Sequence, residues 1–284
     1  MSLTAQDLIS DNLDLVSLPE VVTKLNQMVD DPGCTAADIG EMISLDAALS
    51  ARLLKVVNSP FYSFPSQVDT ISMAITIIGT RALRDLVLAT SVTGHFRSIP
   101  GDLVNIDTFW HHSLGCATAA RAIADHLKIS NSERFFIAGL LHDIGKLVMF
   151  LAQPDLSRQV LELSAQAGTD LASLETSAFG FDHAELGCEL LREWRLPDSL
   201  YEPVAHHHNL AAAGQYHKET AAVHLANAIA NTIEPVISRE DDLPIDTAVW
   251  QMLGLEPEAL DGLINITQMK LGSVIQIMYY EQAA

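Results

Sequence analysis

The chain is short of cysteine, aromatic rings and basic charge, and each shortage removes a class of protein. Its three cysteines, Cys34, Cys116 and Cys188, are odd in number, and none sits in a C-x-x-C pair. That argues against a disulfide framework or a thiolate zinc knuckle and for a reducing, cytoplasmic setting. Lys and Arg number 16 against 36 Asp and Glu, a net charge of −20. Residues 1–100 hold 11 acids and 6 bases, residues 101–284 hold 25 and 10, and neither half carries a basic stripe. A protein that grips a phosphate backbone needs clustered cations to displace counterions, so nucleic-acid binding is not expected.

Other signals are missing as well. The N-terminus, Met1-Ser-Leu-Thr-Ala-Gln-Asp7, has no basic segment followed by an apolar stretch, so no secretory leader is read there. No uncharged apolar run nears the ~20 residues that span a bilayer, and no membrane association is expected. Strand-like alternation with hairpin turns, internal repeats and low-complexity tracts are also missing.

What is present is apolar residue at helical spacing, 49% of the chain with only 6% aromatic. This predicts an all-α protein folded as a single compact multi-helix bundle. Residues 18–29 read as a helix entered at Leu18-Pro19. Thr35 and Asp38 form a capping box opening a helix over 36–44, and Asp46 caps one over 47–57. That helix stops at Asn58-Ser59-Pro60, because proline disfavours helix in the residue before it. Helices over 70–78 and 80–96, split by Gly79, complete a front subdomain of residues 1–100. A short junction around Pro100-Gly101 leads to a second, 101–284, packed with the first. Its helices are expected over 108–127, 133–150, 155–167, 171–179, 182–194, 199–208, 218–233 and 256–280. Gly168, Gly180 and Pro197 mark turns, and an acidic loop occupies 239–244. Residues 35–57 have the outline of a helix-turn-helix, but a net charge of −1 there favours plain helix packing.

Ten of the eleven histidines lie between His111 and His224. The segment Gly139-Leu-Leu-His-Asp-Ile-Gly-Lys146 sets His142 beside Asp143 in an apolar run. Burying an unpaired carboxylate is costly, so the doublet suits a divalent-metal ligand pair. Its plainer alternative is a histidine–carboxylate pair tying two helices together without metal. Candidate ligands are His112, His142, Asp143, His183 and two members of His206-His207-His208, on helices far apart in sequence, as in a polynuclear site inside a bundle. The triplet has its own alternative, a wet helix end where imidazoles meet the dipole. Nitrogen and carboxylate donors without thiolate favour Fe, Mn, Zn or Ni, and the two oxygens of Asp143 suit two ions. Such ions acidify a water and neutralise a phosphate, while Lys146 steadies phosphate charge. Metal-assisted phosphoester hydrolysis is therefore the enzyme reading, with Asp143 and Lys146 its catalytic residues. His95, His126 and His217 read as ordinary surface or half-buried residues. His111 turns away from His112, since neighbouring helix positions lie about 100° apart, and Phe109, Trp110 and Trp194 read as core aromatics.

On these residues the back half resembles the HD superfamily of metal-dependent phosphohydrolases. Trp110-His-His-Ser113 is similar to its first histidine segment, His142-Asp143 to its defining doublet, and Phe181-Asp-His183 with His207-His208 to the later histidines of its HD-GYP branch. The whole chain resembles a narrower group, the HDOD (HD-related output domain) proteins of bacterial signalling. Leu18-Pro19, Asp46 with Leu53-Leu54, Val57-Asn-Ser-Pro60, Ala74-Ile75 with Ile78-Gly79, residues 139–145, Trp194 with Leu196-Pro197, and His206-His207-His208 stand in that group's order across residues 15–230. The resemblance implies a regulatory output module acting through a signalling protein partner, with a nucleotide or other phosphoester as a possible ligand. It implies metal ligands at His112, His142, Asp143, His183, His207, His208 and Asn227. The last departs from the family, whose final aspartate is replaced here within Ala226-Asn227. Asparagine offers a carbonyl oxygen without charge, and His224, three residues earlier, is positioned to compensate. After the paired histidines the chain reads His208-Asn-Leu-Ala-Ala-Ala-Gly-Gln215, without the Gly-Tyr-Pro segment of the cyclic-di-GMP phosphodiesterases. Both readings, regulatory module and active hydrolase, stand at this point, with Asn227 weighing against the second.

Overall fold

Local capping chemistry sets several of the helix starts. The computed structural model describes residues 3–59, 62, 64, 66–96, 99, 101–167, 170–233 and 245–279, whose regular elements are helices, with no strand among them. Thr4 and Asp7 build a capping box for α1 (Ala5–Ser10), and α2 (Leu13–Val16) follows. Next comes α3 (Glu20–Asp30), entered through Pro19. Thr35 and Asp38 form the expected capping box of α4 (Ala36–Ser44), and the Asp46 carboxylate accepts the Leu49 N–H to start α5 (Ala47–Val57). In α6 (Ile71–His95) Gly79 has φ 86°, a left-handed value that breaks the helical path between the two arms expected as separate helices.

Helix α7 (Ile106–His126) starts at Asn105, whose side chain accepts the N–H groups of Asp107 and Thr108. Then come α8 (Glu133–Leu141), α9 (Ile144–Ala152), α10 (Pro154–Ala167), α11 (Leu171–Phe179), α12 (His183–Glu193), α13 (Asp198–His206), α14 (His217–Ile233), α15 (Ala248–Leu253) and α16 (Ala259–Met278). Two differences from the sequence reading concern the helices themselves. The helix expected over 133–150 is two helices, broken at His142-Asp143. Helices α1, α2 and α15 were not anticipated, being too short for a periodic apolar pattern. The stretch Glu133–Ala152 is apolar and long enough by composition to cross a bilayer, but 89% of that stretch's apolar window is buried inside the protein. Pro60, Ser98, Pro100, Gly168, the acidic loop over 239–244 and Tyr280 lie outside the described residues.

The chain forms two compact units, Met1–Ser17 with Phe96–Gln268, and Leu18–His95 with Met269–Ala284. The chain passes from the second unit back into the first at Phe96. In the first unit α1 packs on α12, and the Trp194 indole N–H donates to the Val16 carbonyl at 2.8 Å. In the second, the Thr93 hydroxyl lies 3.3 Å from the Met278 carbonyl, and α4 and α5 both pack on α6. The Thr35–Val57 region is thus engaged in ordinary helix packing.

Within the first unit α7 packs against α8 and α14, and α12 against α9 and α13. Every residue of α7 from His112 to Ala124 is buried, and most are small. Two glycines permit the closest approaches. A Cβ on Gly139 would stand 2.9 Å from the Ala117 Cα and the Cys116 carbonyl on α7. A Cβ on Gly145 would fall on the His183 carbonyl at the start of α12. Glycine therefore brackets the His142-Asp143 doublet on both sides, letting its two flanking helices touch the backbones that carry His112 and His183.

Candidate metal centre

His142 ends α8 and Asp143 begins α9, with Asp143 at φ −101° and ψ 8°. An unbroken helix would splay neighbouring side chains by about 100°. The break instead brings them to one point, the His142 Nε2 lying 3.4 Å from the Asp143 Oδ2. Asp143 occupies an N-cap position, yet its carboxylate makes no capping bond and is spent elsewhere.

Three buried rings commit Nδ1 to a fixed acceptor. Nδ1 of His142 lies 2.8 Å from the Gly139 carbonyl, Nδ1 of His207 2.7 Å from the Val204 carbonyl, and Nδ1 of His183 2.6 Å from the Glu175 Oε2. Their Nε2 atoms are left to face Asp143. His183 Nε2 lies 3.3 Å and His207 Nε2 3.8 Å from Oδ1, while the Lys146 ammonium takes Oδ2 at 2.9 Å. The His208 Nε2 is 2.9 Å from the His183 Nε2, and the His112 ring centroid is 5.4 Å from that of His142. Two ligand groups result, His112 with His142 and Asp143, and His183 with His207 and His208, each with donor atoms within 4.8 Å of one another. Asp143 stands between them, one oxygen toward each.

His142, His183 and His207 have no exposed surface, and Asp143 is 4% exposed. Burial, reinforced by the neighbouring His142, pushes the His112 imidazole down to about 3. Burial likewise lowers His142, His207 and His208. For Asp143 burial acts upward, but His142, Lys146 and His183 outweigh it and hold the carboxyl well below its usual range. For His183 burial acts downward, and Glu175 with Asp143 overcomes it and holds the ring well above its usual value. Four neutral imidazoles beside an ionised carboxylate, with His183 able to give up its Nε2 proton to an incoming ion, are a donor set that suits a divalent cation.

Unsatisfied atoms make the same point. Among the described residues, both His112 ring nitrogens, the His142 and His207 Nε2 atoms and the Asp143 Oδ1 are buried without a partner at hydrogen-bond distance and angle. Buried polar atoms are ordinarily paired, and a cation among these would satisfy them together. The residues fit a metal. His112, His142, Asp143, His183, His207 and His208 are the donors that would hold it, and the ion would contribute Lewis acidity there.

The sequence-derived candidates divide clearly. The six just named come together. Asn227 lies against His112, where its amide favours the protonated ring, and its Oδ1 is 3.4 Å from the Asn231 Nδ2. His224 does not supply the missing charge. Its Nδ1 lies 2.8 Å from the His207 carbonyl and its Nε2 3.4 Å from the Asp246 amide, so it braces the backbone that carries a donor. His206 pairs with Glu202 at 3.3 Å, away from the centre, while His126 and His217 are exposed. The His95 side chain lies outside the described atoms. Trp110 is fully buried, edge-on to Phe109 at 5.1 Å, as a core aromatic. Glu175 escaped the sequence reading. Its signal was a carboxylate at i+4 from Leu171 and i−4 from Phe179, in the buried stripe of α11 where an apolar residue is expected.

An all-helical unit gathering five histidines around one aspartate is the architecture of the HD class. Comparison with known proteins narrows it: the HDOD domain model matches residues 15–210. The chain belongs to the HDOD family. A crystal structure from Shewanella amazonensis SB2B, named as a candidate phosphohydrolase, is 25% identical with a TM-score of 0.74, covering 99% of both chains. An HDOD domain protein of unknown function from Geobacter sulfurreducens is 25% identical with a TM-score of 0.69, covering 96% of both chains. An uncharacterised protein of Treponema pallidum (strain Nichols) is 28% identical over 206 residues, 72% of this chain. The chain spans 40% of the length of that curated relative.

Proposed function

We propose that this chain is a cytoplasmic regulatory protein of bacterial signal transduction, acting through protein contacts, with a divalent cation held in its buried histidine–aspartate centre. The observation that carries the reading is the convergence of the His142, His183 and His207 Nε2 atoms on one ionised carboxylate, with unsatisfied nitrogens around it. Burial of that centre favours a closed, fold-organising ion over a catalytic one, because catalytic sites keep a ligand position open to substrate. Asn227 removes a charge from the donor set, and the Lys146 ammonium is engaged by Asp143. Fe, Mn, Zn and Ni all suit these donors.

A second reading, a metal-dependent phosphohydrolase acting on a nucleotide or other phosphoester, is favoured by one observation. Lys146 is a buried cation adjoining the candidate centre, next to the carboxylate that would hold the ion. The likeness to the Shewanella amazonensis SB2B protein supports it too. Elemental analysis of protein prepared without chelator, followed by a panel of nucleotides and p-nitrophenyl phosphoesters, separates the two. Bound metal without turnover is expected. Turnover abolished by Asp143→Ala would establish the hydrolase instead, and protein free of metal that takes up none on titration would refute the centre itself.

A further inference from the structure

Glu175 is a charged side chain with 3% exposure, and its only ion pair among the described residues is with His183. A single oxygen, Oε2, accepts two donors from that residue, the backbone N–H at 2.9 Å and the ring at 2.6 Å. The geometry follows from a reversal of the chain. Helix α11 ends at Gly180, whose φ of 93° only glycine adopts readily, and α12 begins three residues later at His183. Eight positions of sequence are thereby folded back until the carboxylate of one helix caps the first residue of the next.

A carboxylate accepts and cannot donate, so the His183 Nδ1 must carry the hydrogen in that contact. In the neutral form of the ring, the one able to bind a cation, the lone pair is then at Nε2, which points between Asp143 Oδ1 and His208. The other two converging rings are held differently. His142 and His207 give Nδ1 to neutral backbone carbonyls. His183 alone is backed by a full negative charge, and imidazole bonded to a carboxylate is the more basic ligand. We infer that Glu175 is a positioning residue of the metal centre, locking the His183 tautomer and strengthening its Nε2 as a donor to the cation. This inference rests on the metal reading above. The plain alternative is that Glu175 only caps α12.

Zn(II) titration of the full chain against a chromophoric chelator distinguishes them. Glu175→Gln keeps an oxygen for both N–H groups and removes the charge. It should weaken Zn(II) binding about 10- to 100-fold, the range found for outer-shell partners of ligating histidines. In a His183→Asn background, Glu175→Gln should cause no further loss, because its effect passes through the ring. Equal affinity of wild type and Glu175→Gln, or an equal loss in both backgrounds, would overturn the assignment. Nitrogen NMR of labelled histidine in the Zn(II)-loaded wild type needs no variant. Hydrogen on the His183 Nδ1 is expected, and hydrogen on Nε2 would overturn it. A wild type that binds no Zn(II) would instead sink the metal reading together with this one.

Discussion

His112 illustrates what burial does to a single imidazole. Its folded value of about 3 lies far below that of a histidine in an unfolded chain, about 6.5. His142, His207 and His208 are lowered for the same leading reason, removal from water. Between about pH 6.5 and pH 3 the unfolded chain therefore binds more protons than the folded one, and stability rises with pH across that window. The contribution of these rings is complete above about pH 6.5 and is lost on acidification. His183 is raised and works in the opposite sense, its contribution present below about pH 6.5 and lost as pH climbs through its folded value. Below about pH 6.5 His183 is charged in both states and adds no slope, so the four lowered rings set it. Metal-stripped protein should melt at steadily lower temperature from about pH 7 to about pH 4.5, and His112→Asn should flatten that slope. A melting temperature independent of pH over the range, measured by circular dichroism, would contradict the buried neutral cluster.

Elements were legible where their ends are written in side-chain chemistry. The starts of α4 and α5 follow from Thr35, Asp38 and Asp46, and α11 has the bounds expected for it, between the Asp170 cap and Gly180. The α8–α9 break was not legible, because apolar periodicity continues through it and no proline or turn residue announces it. Close packing produces it: Gly139 lies against α7 and Gly145 against α12, two different helices. Gly145→Ala should therefore do more than lower helix entropy. A methyl group there meets the backbone of His183, which has no flexible end to yield, so a loss of about 1–3 kcal/mol or more is expected. Metal affinity should fall with it as Asp143 is displaced. Gly187→Ala is the control, since its Cβ would meet a Val204 methyl at 3.1 Å. Comparable melting temperatures for the two variants would remove Gly145 from this role.

At the scale of the molecule, a cation held by α7, the α8–α9 break, the start of α12 and the end of α13 would cross-link distant pieces of one unit. An ion bound only by the folded state adds about 2.7 kcal/mol when present at 100 times its dissociation constant. For a unit of this size that corresponds to roughly 5–10 °C in melting temperature. Chelation should lower the melting temperature by that order and speed hydrogen exchange in α7 and α12. Exchange in α4 and α5, which belong to the other compact unit, should stay as it was. Uniform loosening of both units, or no shift in melting, would count against an ion that organises the first one.

The candidate donors were legible in the chain itself: five imidazoles, one aspartate beside a histidine, no paired thiolates, and an asparagine where charge is missing are properties of side chains, readable wherever they lie. Their meeting was decided only by the tertiary structure, because residues 112, 142, 183 and 207 are far apart along the chain and helical period says nothing about which helix faces which. The same holds for Glu175 behind His183, for the bracing role of His224 and for the units to which the two chain ends belong. Each depends on where a backbone is allowed to approach another, and small residues at a few contacts decide that.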